Sequence, residues 1–417
     1  MRFIHTADIH LDSPLKGLET YEDAPIDEIR GATRRAFDNL IDLAIEEEVD
    51  FVLIAGDLYD GDWKDYNTGL FFAGRIGRLA KAGIRVFIVS GNHDAASRIT
   101  RAMPLPDNVT MFPAARPRSV KLDELGVIIH GQSYPSPSVT RNIAAHYPQH
   151  DADYFNIGLL HTSLTGRDGH ENYAPCTEAE LLSKGYDYWA LGHVHRREVV
   201  AEDPWIVFPG NIQGRHIKET GVKGATLVTV EDGRITEVRQ RELDVLRWTI
   251  CTVDLSGCAT RAAVHEQVRS AMEKEHNMAA GKTLALRLQL EGRCPLHAEL
   301  HARSIHWTEE FRAIAVSMGD VWLEKVKFRT GSMTGLEEIF GEDSPLSGLL
   351  QSIARLEFGE YELTALVPDL ADLKTKLPAE LLDENSLLVN PEQGLAELRE
   401  EVRDLLIARL LQHGEEA

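Results

Sequence analysis

Arg85-Val86-Phe87-Ile88-Val89-Ser90-Gly91-Asn92-His93-Asp94 is an apolar run that stops at a glycine and passes at once into three chemically capable side chains. The run predicts a buried strand, and the glycine allows the chain to turn sharply at its end. The same grammar occurs twice earlier. Asp50–Ala55 runs into Gly56-Asp57-Leu58-Tyr59-Asp60, and residues 2–7 run into Asp8-Ile9-His10. Between these strands, residues 33–48 carry Phe37, Leu40, Ile41, Ala44 and Ile45 at helical spacing, and residues 66–82 carry Phe72, Ile76, Leu79 and Ala80 on one face. A β-α-β-α-β order implies parallel strands joined by crossover helices. Ligands of such folds gather beyond the carboxyl ends of the strands, where all three polar motifs lie.

After residue 105 short strands replace helices, at 109–112, 119–122, 126–131, 156–161, 187–191, 205–208 and 224–230. Two further motifs follow strands here: His161, and Gly192-His193-Val194-His195. Asp232-Gly233 between β-rich runs signals a hairpin turn. The expected fold class is therefore α/β: a two-sheet β-sandwich, one sheet more parallel and one more antiparallel, flanked by helices. The catalytic domain is expected over 1–243. A small α+β module follows over 244–330, with strands at 247–255, 283–290 and 321–329 and helices at 260–276 and about 296–318. Residues 331–417 read as helical and acidic. Leu346, Leu349, Leu350 and Ile353 form one apolar stripe there, and Leu395, Leu398, Val402 and Leu405 another; Gly341–Pro345 is the nearest thing to a linker.

At 417 residues, with 43% hydrophobic and 26% charged residues, the chain fits a multidomain globular protein. Its four cysteines lie far apart with no C-x-x-C pair, which suits a reducing compartment and argues against a disulfide framework. Met1 leads straight into a strand and no apolar run approaches membrane length, so a cytoplasmic location without a leader or span is expected. The net charge of −22 runs against a nucleic-acid footprint, although a basic rim on an acidic body is compatible with it.

Each motif alone has a plain structural alternative. D-x-H pairs such as Asp8 and His10 are common. Asp57 by itself reads as a turn or helix-capping residue, and His161 as a satisfied core histidine. Gly91-Asn92-His93-Asp94 is more specific, and Gly192-His193-Val194-His195 sets two imidazoles two apart. Five motifs in one order, all at strand ends, make chance a poor explanation. Jointly they supply ligands for two divalent cations and one spare histidine, the equipment of a two-metal phosphoesterase.

The pattern D-x-H, G-D, G-N-H-D, H, G-H-x-H resembles the calcineurin-like metallophosphoesterases, and within them the SbcD-type DNA repair exonucleases. Phe208-Pro209-Gly210-Asn211-Ile212-Gln213-Gly214-Arg215-His216 with Glu219-Thr220-Gly221 resembles the YhaO-like branch. The α+β module resembles the capping domain of that family. The resemblance implies one metal on Asp8, His10 and His195, a second on Asn92, His161 and His193, and Asp57 bridging both. It implies His93 as general acid with Asp94 behind it, and in-line attack by a water activated between two ions, most often Mn²⁺. Asp60 stands where some relatives have histidine, which bears on substrate preference. Arg98, Arg101, Arg196, Arg197, Arg215 and His216 are candidates to hold phosphates, with solvated surface cations as the alternative for each. Gly166–Pro175, with His170 and Tyr173, is either a lid or a plain connection.

The resemblance implies DNA as substrate and an SMC-like ATPase as partner, and it favours a homodimer. The chain has no G-x-x-x-x-G-K-[ST], so any ATP dependence must come from that partner; the C-terminal helices are either its docking surface or an intramolecular cap. The rival readings are a phosphodiesterase or phosphatase acting on a small-molecule phosphate ester, and a non-catalytic scaffold. G-N-H-D in place of G-N-H-E argues against a protein phosphatase, and the complete ligand set against a scaffold.

Overall fold

Six buried side chains of one helix, Ala36, Phe37, Leu40, Ile41, Leu43 and Ala44, dock onto a sheet whose central strands are apolar on both faces. In the computed structural model, which describes residues 1–13, 25–60, 67–96, 105–165 and 173–333, the chain begins with β1 (Arg2–Thr6), α1 (Ile26–Glu46), β2 (Phe51–Ala55), α2 (Asn67–Lys81), β3 (Arg85–Val89), α3 (Asn92–Ala96) and β4 (Val109–Met111). There follow β5 (Arg118–Leu122), β6 (Val127–Gly131), β7 (Phe155–His161), α4 (Glu178–Leu182), β8 (Tyr188–Gly192), β9 (Glu198–Glu202), β10 (Trp205–Phe208), β11 (Gly224–Glu231) and β12 (Arg234–Glu242).

One six-stranded sheet has the order β12-β11-β1-β2-β3-β4, and the other β5-β6-β7-β8-β10-β9. Phe3, Phe51, Leu53 and Phe87 of the first pack on Ile129, Ile157, Leu159, Tyr188 and Val207 of the second, so the core lies between the two sheets. Helices α1 and α2 cover the outer face of the first sheet. Leu181 of α4 belongs to a cluster with Trp189 and Phe208 on the outer face of the second. The fold is the α/β two-sheet sandwich flanked by helices.

Two expectations are corrected. Both sheets are mixed: β1 to β4 run parallel, β11 pairs antiparallel with β1 and β12 antiparallel with β11, while β6, β7, β8 and β10 run parallel between antiparallel edges β5 and β9. Strand direction follows from the connections, which strand composition does not encode. Helix α1 starts at Ile26 and not at residue 33, because Ile29 and Ala32 extend the buried stripe backward to Pro25. The stretch near 296–318, for which a break was one of the two expectations, is two helices parted at Arg303, whose φ of −117° and ψ of 31° leave the helical region.

The rest of the described chain comprises β13 (Leu246–Asp254), α5 (Arg261–Met278), β14 (Thr283–Arg293), α6 (His297–Ala302), α7 (Ser304–Ser317) and β15 (Val321–Gly331). Its three strands form a sheet in the order β13-β14-β15. The chain divides into two compact units. One comprises Met1–Ile250, His276–Leu286 and Asp320–Glu324; the other includes Cys251–Glu275 and Arg287–Gly319. In the second unit Trp307 and Phe311 are buried, and His265 stacks on Trp307 with centroids 5.2 Å apart. Among the described residues no helix is long and apolar enough to cross a membrane. All four cysteines are buried and free. Arg98, Arg101, residues 166–172 of the segment read as either a lid or a plain connection, the Gly341–Pro345 linker and both C-terminal leucine stripes lie outside the described residues.

Candidate metal centre

The loops after β1 and β2 run side by side, with Asp8 N–H donating to the Gly56 carbonyl, His10 N–H to that of Asp57 and Leu11 N–H to that of Leu58, each at 3.0 Å. Alternation along a strand does not aim Asp8 and His10, because β1 ends at Thr6. Both adopt left-handed backbone, with φ of 50° and 47°, as do Asp57 at 49° and His193 at 103°. Such conformations cost on the order of 1–3 kcal/mol each and persist where surrounding contacts over-determine them. Here the contacts are the paired loops, His93 N–H donating to Asp57 Oδ1 at 3.0 Å, and His193 N–H donating to Asp8 at 3.0 and 3.1 Å.

Three side-chain groups converge, each with ligand atoms within 4.8 Å of one another: Asp8, His10 and His195; Asp57, His161 and His193; and His10, Asp60 and His93. Asp57 Oδ2 lies 3.5 Å from His161 Nε2 and 4.0 Å from His10 Nε2, so one carboxylate stands between the first two groups. Asn92 brings its Oδ1 to 3.0 Å from His161 Nε2.

The chemistry of this set fits cations. His161 Nδ1 donates to the Ala55 carbonyl at 2.8 Å, which leaves the Nε2 lone pair facing the Asn92 oxygen. His195 Nδ1 donates to Glu219 at 2.7 Å, which leaves its Nε2 lone pair facing His10 Nε2 at 3.1 Å. A cation seated between such atoms would take the lone pairs that these two imidazoles present. Burial, joined by the Asp57 charge, pushes Asp8 well above the usual carboxylate range, and burial also raises Asp57. Burial lowers His161 to about 4 and holds His10 well below an ordinary histidine. Buried carboxylates beside neutral imidazoles are the donors that divalent first-row metals take.

The partner of His93 differs from the expected one. Its Nδ1 lies 2.8 Å from Asp60 Oδ1, not on Asp94. Asp94 instead accepts backbone N–H groups from Leu58 at 3.3 Å, Tyr59 at 3.0 Å and Gly91 at 3.1 Å, which fastens two motif loops together. A side chain that follows His93 directly and is spent on backbone donors cannot also face the imidazole. Burial works against a charged His93, but the hydrogen bond to Asp60 and the nearby Asp57 outweigh it and raise it to about 9. The His93 side chain is 34% exposed, at the rim of an otherwise buried cluster.

The expected phosphate contacts separate. Arg196 is exposed. The Arg215 guanidinium meets Glu219 at 3.0 Å and Asp60 at 3.7 Å, so its partners are carboxylates. His216 stands 3.7 Å from Glu219. Glu219 was legible only as part of a longer motif, since nothing local ties it to a histidine 24 residues away.

Residues 1–197 match the calcineurin-like phosphoesterase family. An uncharacterized metallophosphoesterase, YhaO of Bacillus subtilis (strain 168), is 38% identical over 299 residues, covering 71% of this chain and 72% of that protein. The chain belongs to the calcineurin-like metallophosphoesterases. This family uses a dinuclear divalent metal centre, and the first two donor groups are where this metallophosphoesterase would hold it. Residues 248–331 match the middle domain of metallophosphoesterase YhaO. Among solved structures, TT1561 of Thermus thermophilus is 12% identical with a TM-score of 0.33, covering 57% of this chain and 98% of its own. A dimetal phosphatase from Danio rerio is 10% identical with a TM-score of 0.35, covering 58% and 97%.

Glycines let the metallophosphoesterase loops close this tightly. A Cβ at Gly192 would overlap the Ala55 carbonyl, and one at Gly91 the Asp57 carboxylate. Gly192→Ala is expected to destabilise the protein by about 1–3 kcal/mol, because the obstructing atom is backbone. Urea unfolding measures this; an unchanged midpoint would contradict the packing described.

Proposed function

We propose that this chain hydrolyses phosphodiester bonds of DNA, with His93 protonating the leaving oxygen. The observation that carries the reading is the Asp60–His93 contact at 2.8 Å on the partly exposed rim of the donor set. When bound, two divalent ions would polarise the phosphoryl oxygens and acidify water; Mn²⁺ suits the mixed nitrogen and oxygen donors. Asp60 keeps the proton on His93 Nδ1 and aims the ring, and Nε2 then faces the substrate side as the donor. DNA as substrate is supported by the resemblance of the five motifs and the Phe208–Gly221 run to repair exonucleases. In this reading an SMC-like ATPase supplies much of the DNA affinity, two copies of the chain pair, and the work is cytoplasmic.

The net charge of −22 favours a second reading, a small phosphate ester as substrate, because such a body repels a polyanion. Purified full-length protein with and without Mn²⁺, given linear duplex DNA, single-stranded DNA and a simple aryl phosphodiester, separates the two. Metal-dependent release of nucleotides supports the first. Turnover of the simple ester with DNA left intact would replace it with the second.

A further inference from the structure

We infer that Glu219 is a positioning residue for the metal centre, fixing His195 as a ligand from a strap that no single motif reveals. Glu219 is buried, yet five donors converge on it, the longest contact being Arg215 Nε at 3.4 Å. His195 Nδ1 lies at 2.7 Å, Arg215 N–H at 2.7 Å, Arg215 Nη2 at 3.0 Å and Asn211 Nδ2 at 2.9 Å. A carboxylate only accepts, so the 2.7 Å contact with Glu219, shorter than the 3.3 Å from Arg215 Nη2 to the same nitrogen, places the His195 proton on Nδ1 and presents the Nε2 lone pair to Asp8 and His10. The guanidinium of Arg215 supplies the charge that keeps Glu219 ionised.

The strap is held from behind as firmly as it holds His195. Gln213 donates to the Leu246 carbonyl at 2.6 Å and accepts from Val245 N–H at 2.9 Å. Trp248 Nε1 donates to the Gly214 carbonyl at 3.1 Å. Lys223 Nζ donates to the carbonyl of His195 itself at 3.0 Å. His195 is thus fixed at both its ring and its backbone by residues 211–223. Asp8, His10, His161 and His193 gain no contact from Glu219 among those described, so its loss should fall on one metal position.

The inference rests on the metal centre and not on which ester is cut, so it stands or falls apart from the DNA reading. Its test is Mn²⁺ titration by calorimetry on metal-free full-length protein, with long-range ¹H–¹⁵N spectra of His195. In Glu219→Gln the binding step at Asp8, His10 and His195 should weaken about 10–100-fold, with the other step unchanged. The Nδ1-protonated form of His195 should give way to a tautomer mixture. Glu219→Asp, which keeps the charge of the carboxylate but shortens its reach, should lie between and serves if the Gln variant does not fold. Wild-type affinity at both steps, equal weakening of both steps, or an unchanged tautomer would overturn the assignment.

Discussion

Replacing His93 with alanine should lower kcat about 10²–10⁴-fold while metal content stays at two ions per chain. The side chain of His93 meets Asp60 and the edge of the His10 ring, whereas its tie to Asp57, the carboxylate between the first two donor groups, is a backbone N–H that alanine retains. Metal analysis and steady-state kinetics on one preparation therefore separate proton transfer from metal binding. Asp60→Asn should produce part of the same loss. It removes the hydrogen-bonded charge that favours a protonated imidazole, leaving only the charge of Asp57 to oppose the burial that pushes His93 toward neutrality. An Asp60→Asn enzyme at full rate would show that His93 needs no carboxylate partner, and a fully active His93→Ala would remove it from the chemistry.

Stripping the metals should lower the melting temperature by about 10 °C. An ion held at a thousandfold excess over its dissociation constant stabilises the native state by about 4 kcal/mol. For a domain near 200 residues each kcal/mol corresponds to about 2–4 °C. The structural reason lies in Asp8 and Asp57, two buried acids on left-handed backbone in adjoining loops. Each prefers a proton when no cation is near, and burial is the leading cause for both. Differential scanning calorimetry with chelator and then with Mn²⁺ restored reads the shift. Asp57→Ala, which lacks the carboxylate between the two donor groups, should melt at the same temperature with and without Mn²⁺. A wild type indifferent to the metal would leave the strained loops unexplained.

Much of this molecule follows from patterns confined to a few residues. Apolar runs such as Phe51–Ala55 and Arg85–Val89 form buried strands because a strand covered on both faces needs no alternation. A glycine at the end of such a run lets polar groups emerge there, which is why Asp57, Asn92 and His193 were legible as site residues. Helix α1 was legible from its stripe but not from its start, because Pro25 marks a beginning only once the stripe is seen to reach it. By itself, then, the sequence determined where most of the strands lie along the chain and which polar side chains stand at their ends, since both depend on near neighbours along the chain. Only the tertiary structure decided that Asp60 and not Asp94 meets His93, that Glu219 holds His195, and that Arg215 is committed to carboxylates. Those pairings join different loops, and their geometry exists only after two sheets have packed and brought the loop ends together.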